Sequence, residues 1–189
     1  MNFIEQLTFR ILRQRGILKG NYSADVNLRY WKKDQICYRF EDSIINIPEY
    51  KDGMYEVANQ YKSLLSTYGI TLVQVTHLEL ADINIRVHEK NIYTPSGKET
   101  KGVCHAPYYD EDKHNIVKAY IELTPNRHLL RDTEDVIDTG LHEFGHATFC
   151  DNHSTWGYDV MGNSKRVLKF TDRDLQTFDM AMQLRRSNI

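Results

Sequence analysis

The chain is poor in the residues that break or cross-link a polypeptide, with 4 prolines and 3 cysteines among 189 residues. The cysteines form no Cys-x-x-Cys pair and are odd in number, which argues against a disulfide framework and favours a reducing, intracellular location. No stretch approaches the roughly 20 apolar residues that a membrane-spanning helix needs. The formal net charge of -2 leaves no excess of basic residues, so a nucleic-acid partner is not expected.

What the chain does contain is typical of one globular domain, with 41% hydrophobic and 26% charged residues and no internal repeat or linker. Residues 1–27 are predicted to form an amphipathic helix and extension, because Phe3, Leu7 and Ile11 recur at helical spacing. Charged residues interrupt this apolar stripe, unlike the unbroken core of a secretory signal. We expect the helix to pack on a domain formed by residues 28–189; docking to a larger protein assembly is the alternative.

The periodicity of the apolar residues predicts an α+β domain built on one mixed, twisted sheet of about five strands. The predicted strands are 35–40, 70–75, 83–87, 103–106 and 117–123. Helices are predicted at 50–66, from about Asp132 through the motif described next, and at the C-terminus over 172–185. The polar segment 91–102 contains Pro95 and Gly97 and is predicted to be a loop.

The second of these helices contains the pattern His-Glu-x-x-His, at His142-Glu143-Phe144-Gly145-His146. Histidines four residues apart project from one face of a helix, so both imidazoles can reach one tetrahedral zinc ion. Glu143, beside the first histidine, can act as general base and take the proton of a zinc-activated water as that water attacks a carbonyl group. The pattern predicts metal-assisted hydrolysis; a chance match on a structural helix is the alternative.

A third ligand is expected downstream, since three protein ligands and one open position are typical of catalytic zinc. No Glu follows Glu143, which excludes the class of zinc peptidases that uses a later glutamate as a ligand. His153 lies seven residues after His146 and is the predicted third ligand, with Asp151 as the alternative. Cys150 lies close by and is interpreted as a small buried side chain rather than as a thiolate ligand.

Three short segments together resemble the zinc-binding motif and the Met-turn of the metzincins, and of the matrixins in particular. They are His142 to Ala147, His153-Ser154 and Val160-Met161. The resemblance covers roughly residues 28–189, with weaker likenesses at 31–40, 81–85, 104–106 and 170–175. Only the zinc helix and the Met-turn are specific to the family.

The resemblance implies a zincin-like fold with one catalytic zinc ion. In that fold His142, His146 and His153 are the ligands, Glu143 is the general base, and Met161 forms a hydrophobic floor beneath the metal. The resemblance also implies that a peptide binds in extended form against the edge strand near Val103 to Ala106, as an added strand.

The turn that leads from His146 to His153, called the ligand turn below, departs from the metzincin pattern. The family has Gly three residues after the second histidine and its third histidine six residues after, whereas Phe149 and Asn152 stand at these positions here. His153 comes one place later, so the turn must accommodate an inserted residue. Asn163 stands where some metzincins have an additional tyrosine ligand after the Met-turn residue, Met161.

Two further metal sites are weaker alternatives. His105 matches a matrixin position that can bind a second, structural zinc, but the loop before it lacks the partner histidine and aspartate. Asp110, Glu111 and Asp112 could bind Ca²⁺, although a solvated acidic turn is the favoured interpretation.

The sequence as a whole predicts a zinc-dependent peptidase, and an endopeptidase first of all. The alternative is a zinc-stabilised protein-binding module that has the peptidase fold but little turnover. The presence of Glu143 argues against that alternative, since a purely structural zinc site has no use for a general base.

Overall fold

The computed structural model describes residues 27–108, 114–151, 153–154, 158–162 and 166–189. The predicted N-terminal helix, the acidic turn at 110–112, Asn152 and Asn163 lie outside the described residues. The elements in chain order are β1 (Gln35–Phe40), α1 (Asp42–Ile45), α2 (Pro48–Ser66), β2 (Thr71–Gln74), a short 3-10 helix (Leu78–Leu80), β3 (Ile83–Val87), β4 (Ile92–Tyr93), β5 (Glu99–Thr100), β6 (Gly102–Tyr108), β7 (Lys118–Leu123), α3 (Thr133–Thr148) and α4 (Asp172–Asn188). None of the helices in these ranges is both long enough and apolar enough to cross a membrane.

Five strands form one sheet in the order β2, β1, β3, β7, β6. β1 is parallel to both β2 and β3, and β3 is parallel to β7. β6 is antiparallel to β7 and lies at one edge of the sheet. The predicted α+β class and the mixed five-stranded sheet are therefore confirmed.

The polar segment 91–102 differs from its prediction as a loop, because it contains the short hairpin of β4 and β5. Ile92 pairs with Thr100, and Tyr93 pairs with Glu99. Gly97, between the two strands, has a φ of 79°, a left-handed conformation that glycine adopts without a steric penalty. The loop prediction is wrong for these strands, since a run of two residues is too short for periodicity to indicate it.

α2 and α3 cover the same face of the sheet. Tyr38 and Phe40 lie two residues apart on β1 and so point to one side of the sheet. The Tyr38 ring contacts Phe144 of α3 at a centroid distance of 6.5 Å, and the Phe40 ring contacts Tyr55 of α2 at 5.2 Å. Phe144, which follows Glu143, is fully buried, and this packing fixes which face of α3 turns away from the sheet core.

The two helices approach each other closely enough to fix the position of α3. A Cβ on Gly140 would lie 2.8 Å from the Met54 sulfur of α2, so only a glycine fits there without a shift. At the next residue of α3, the Leu141 carbonyl accepts a hydrogen bond of 2.7 Å from the Tyr61 hydroxyl. Both contacts lie directly before His142, the first histidine of the motif.

The described residues before β1 close the C-terminal end of α3. The Trp31 indole Nε1 donates to the Ala147 carbonyl at 2.8 Å, and the Arg29 amide donates to the Phe149 carbonyl at 2.9 Å. The last carbonyl groups of a helix have no partner within the helix, so these two donors satisfy groups that would otherwise need water. Arg185 of α4 holds the same segment from the other side, through a hydrogen bond of 2.7 Å from Nε to the Trp31 carbonyl.

Candidate metal centre

α3 begins where the sequence predicts it. The Asp132 carboxylate accepts a hydrogen bond of 2.8 Å from the Asp135 amide and so caps the free N–H groups of the first turn. Asp135 is buried and is paired with two arginines, Arg131 at 3.0 Å and Arg166. These contacts anchor the end of α3 that lies away from the histidines.

Three histidines come together at the other end of α3. The rings of His142, His146 and His153 are 4.9 to 5.0 Å apart in all three pairs, measured between centroids. One ligand atom from each lies within 4.8 Å of the other two, and within the described ranges no other group of three or more potential ligands is found. The Nε2 atoms of His146 and His153 are 3.4 Å apart. Two nitrogens bound to one tetrahedral zinc at about 2.0–2.1 Å also lie about 3.4 Å from each other.

Backbone carbonyls fix the orientation of the two helical histidines. Nδ1 of His142 is 2.8 Å from the Val160 carbonyl, and Nδ1 of His146 is 3.0 Å from the Cys150 carbonyl. Since a carbonyl only accepts hydrogen bonds, Nδ1 carries the proton in both rings and Nε2 keeps its lone pair. Burial lowers the pKa of His142 to about 4 and, together with the neighbouring imidazoles, that of His146 to about 3. Both rings are therefore neutral at pH 7, the form that binds a metal ion.

His153 and Asp151, the two alternatives for a third ligand, have different surroundings. His153 is exposed, but its ligand atom lies in the cluster, and desolvation lowers its pKa although Asp151 acts in the opposite direction. The Asp151 carboxylate instead pairs with Arg29, at 2.6 Å between Oδ1 and Nη2. Cys150, between α3 and these two residues, is 1% exposed, which agrees with its interpretation as a buried side chain.

Glu143 lies beneath the edge strand β6. It is 6% exposed, and its carboxylate accepts a hydrogen bond from the Cys104 amide. Burial raises the pKa of Glu143 to about 8, although the hydrogen bond from Cys104 acts in the opposite direction. A neutral carboxyl group is thus favoured at pH 7 in the absence of a nearby positive charge, and a bound cation would favour the carboxylate.

Alternate residues of β6 turn their main-chain groups away from β7. The carbonyl of Lys101, just before β6, accepts a hydrogen bond of 2.9 Å from the Thr124 amide. In the antiparallel register that continues from this pair, the odd-numbered residues of β6 bond to β7. The outward groups therefore belong to Gly102 and Cys104. Beyond His105 a register shift interrupts the alternation, and the Ala106 carbonyl is directed to Arg29.

Three main-chain groups on this side of β6 are bound within the chain. The Gly102 carbonyl accepts a hydrogen bond of 3.2 Å from the Thr100 hydroxyl. The Cys104 amide donates to Glu143, and the Ala106 carbonyl accepts a hydrogen bond of 3.2 Å from Arg29 Nη1. The expected peptide edge from Val103 to Ala106 is therefore partly occupied by side chains of the protein itself. In that stretch the Cys104 carbonyl is an outward group that can pair with a partner.

Met161, the predicted Met-turn residue, packs against α3. It is 3% exposed, and a Cβ on Gly145 of α3 would overlap its sulfur atom. The residue before it, Val160, provides the carbonyl that orients His142. The turn thus contacts α3 through both a side chain and the main chain.

The start of α4 holds this turn in place, which sequence reasoning did not identify. The Asp174 carboxylate accepts a hydrogen bond of 3.0 Å from the Val160 amide, and its other oxygen accepts one of 2.8 Å from the Thr171 amide. The Thr171 hydroxyl in turn caps the Asp174 amide, which completes a capping box. The spacing Thr171-x-x-Asp174 is a sequence signal for such a cap and would have located it.

Of the two weaker metal sites, the one at His105 falls within the described ranges. His105 is exposed, with Nε2 3.9 Å from a carboxylate oxygen of Glu122, and no group of three potential ligands includes it among the residues described. The acidic residues at 110–112 lie outside those ranges.

Neither a scan against models of known protein families nor a search of curated proteins found a match for this chain. The chemistry of the site therefore has to be inferred from its own residues.

Proposed function

We propose that this chain is a zinc-dependent peptidase, an endopeptidase of the metzincin type, with zinc held by His142, His146 and His153. The main support is the convergence of three imidazole ligand atoms, two of them on rings fixed through Nδ1 by backbone carbonyls. Neutral imidazoles oriented in this way by a second hydrogen bond are the usual ligands of catalytic zinc. The mixed sheet, the helix α3 and Met161 beneath it are compatible with a zincin-like fold.

Glu143 is the proposed general base. When bound, zinc supplies two kinds of chemistry, since it makes water more acidic and polarises a carbonyl oxygen. Glu143 follows His142 on α3, so its carboxylate can accept a proton from the attacking water and later donate it to the nitrogen of the leaving amine. The Cys104 amide, which donates to this carboxylate, would hold it in one orientation.

The proposed substrate is a peptide in extended conformation along the outer edge of β6. The Cys104 carbonyl belongs to a residue whose main-chain groups point outward, and would pair with the peptide backbone. The Cys104 amide and the Ala106 carbonyl already have partners in the chain. We expect a peptide to form fewer main-chain hydrogen bonds here than along a fully open edge.

A zinc-stabilised binding module is the second candidate, and one observation favours it. Glu143 is 6% exposed and is covered by Gly102 and Cys104 of β6, so a water molecule would have little access to its carboxylate in this arrangement. Both candidates bind zinc, but only the peptidase hydrolyses peptides at an appreciable rate.

The experiment that separates them compares zinc content with hydrolysis of an unfolded protein such as reduced, alkylated casein. The purified full-length chain, Glu143→Ala and the control Glu49→Ala are loaded with zinc and assayed together. Glu49 pairs with Arg127 on the surface, at 2.7 Å, and its removal is expected to leave turnover unchanged. We expect Glu143→Ala to lower turnover by about 10²- to 10⁴-fold, the usual contribution of a general base, with zinc still near one per chain.

Two other outcomes of this experiment would contradict the peptidase proposal. Zinc near one per chain without hydrolysis of any peptide by the wild type would contradict the peptidase and leave the binding module. Absence of zinc from the wild type after loading would contradict both candidates.

A further inference from the structure

The turn that leads from His146 to His153 is held from outside by residues 27–29. The Arg29 amide donates to the Phe149 carbonyl at 2.9 Å, and the Asp151 amide donates to the Asn27 carbonyl at 2.8 Å. Leu28 and Cys150 form an antiparallel bridge between these two bonds. The turn with the inserted residue is therefore paired, over three residues, with a segment more than 100 positions earlier in the chain.

The Arg29 side chain extends this pairing to the edge strand. Its guanidinium is bound to the Asp151 carboxylate at 2.6 Å through Nη2 and to the Ala106 carbonyl at 3.2 Å through Nη1. Arg29 is 8% exposed, so its guanidinium is largely shielded from water, whereas the Asp151 side chain is 40% exposed. One rigid group thus joins the ligand turn to β6.

These contacts lie next to two of the three histidines. Asp151 is two residues before His153, and the Cys150 carbonyl, directly before Asp151, orients His146 at 3.0 Å from Nδ1. A planar guanidinium with several fixed donors restricts its partners in direction as well as distance, which an ammonium group does not. Movement of Asp151 away from Arg29 would therefore change the position of His153 and the hydrogen bond that orients His146.

We propose that Arg29 is a positioning residue for the metal centre, which fixes the ligand turn by joining Asp151 to the Ala106 carbonyl. The inference rests on the proposed zinc site. As a cation Arg29 is not itself a ligand, and it acts through Asp151 and the main chain of the turn.

The test measures zinc affinity of the full-length chain by competition with a chromophoric chelator, for the wild type, Arg29→Met and Arg29→Lys. Loss of a group that orients zinc ligands typically weakens metal binding by about 10- to 100-fold, which we expect for Arg29→Met. Arg29→Lys keeps the charge but cannot bind the Asp151 carboxylate and the Ala106 carbonyl equally well. Its zinc affinity should therefore fall between those of Arg29→Met and the wild type. The Co²⁺-substituted protein provides a second measurement, because its visible d–d absorption reports ligand geometry; we expect a changed spectrum in Arg29→Met.

Arg185→Met is the matched control. Arg185 is also 8% exposed and binds the neighbouring part of the same segment, at the Trp31 carbonyl and at Asp34. Among the described residues it has no hydrogen bond or ion pair with the ligand turn or with β6. We expect Arg185→Met to lower the melting temperature about as much as Arg29→Met and to change zinc affinity less than about 2-fold.

Three results would overturn the inference about Arg29. They are wild-type zinc affinity in Arg29→Met, an equal loss of affinity in Arg185→Met, and an unchanged Co²⁺ spectrum in Arg29→Met. If Arg29→Met does not fold, the zinc affinities of Arg29→Lys and Asp151→Asn test the inference instead, and wild-type zinc affinity in both variants would overturn the inference. A wild-type chain that binds no zinc would overturn the proposed function and this inference together, whereas zinc binding that is insensitive to Arg29 overturns this inference alone.

Discussion

Glu143 and Gly102 are in direct contact across the boundary between α3 and β6. A Cβ on Gly102 would come within 3.1 Å of the Glu143 carboxylate oxygen and within 2.9 Å of Thr139 Cγ2. Both residues of the pair are buried. The edge strand can therefore lie over the proposed general base only because position 102 has no side chain.

Gly102→Ala is expected to lower kcat/KM by about 10- to 100-fold, since a displacement of about 1 Å of a catalytic group can cost about 100-fold in rate. Zinc content should stay near one per chain, because the three histidines are not touched. The measurement is peptide hydrolysis together with metal analysis on the same preparation.

The control for this prediction is Gly53→Ala. A Cβ on Gly53 would lie 2.7 Å from Val136 Cγ1, at the start of α3 and about 9 Å along the helix from His142. This variant should lose stability but keep its activity per folded molecule. Wild-type kcat/KM in Gly102→Ala would contradict the proposed position of the base.

His153→Ala is expected to lower zinc affinity more than Asp151→Ala. His153 contributes a ligand atom to the cluster, whereas Asp151 is bound to Arg29 and acts on the turn. We expect a loss of more than about 100-fold for His153→Ala, beyond the range of about 10- to 100-fold typical of outer groups. Metal analysis after dialysis against buffered free zinc ranks the zinc affinities of the two variants. A larger loss in Asp151→Ala than in His153→Ala would show that Asp151 is the third ligand.

The stability of the protein should depend on the ionisation of Asp135 in acid. Burial raises the pKa of Asp135, but hydrogen bonds from Arg131 and Arg166 outweigh it and lower the pKa to about 2. A carboxyl group with a depressed pKa in the folded state stabilises the fold above its unfolded pKa of about 3.9, and this contribution is lost as the pH falls towards 2. A shift of this size corresponds to about 2 kcal/mol.

Urea unfolding of the wild type and of Asp135→Asn between pH 2 and pH 7 measures this contribution. The difference in unfolding free energy between the two proteins should be largest above pH 4 and should shrink by about 2 kcal/mol at pH 2. A difference that is independent of pH would mean that Asp135 is not stabilised by its arginines.

The sequence predicted those parts of the molecule that have a local pattern. Apolar periodicity located the five strands of the main sheet, and the cap at Asp132 located the start of α3. The spacing of His142 and His146 placed both on one helical face, and the structure brings them together with His153.

Contacts between distant segments were not predictable in this way. Arg29 binds Asp151 across 122 positions of the chain, counted from 29 to 151, and no spacing rule connects them. The covering of Glu143 by Gly102 depends on the order of strands in the sheet and on the register of β6, which apolar periodicity does not determine. Such contacts arise only after the sheet has been assembled.

The hydrogen bond from Trp31 to the Ala147 carbonyl joins positions that are 116 residues apart. Contacts of such long sequence separation form slowly, because the entropy of closing a large loop must be overcome before any favourable interaction is gained. The end of α3 and the turn after it can reach their final arrangement only when the first and last parts of the domain have met. The histidine cluster is therefore expected to be completed late in folding, after the segment before β1 has met the end of α3.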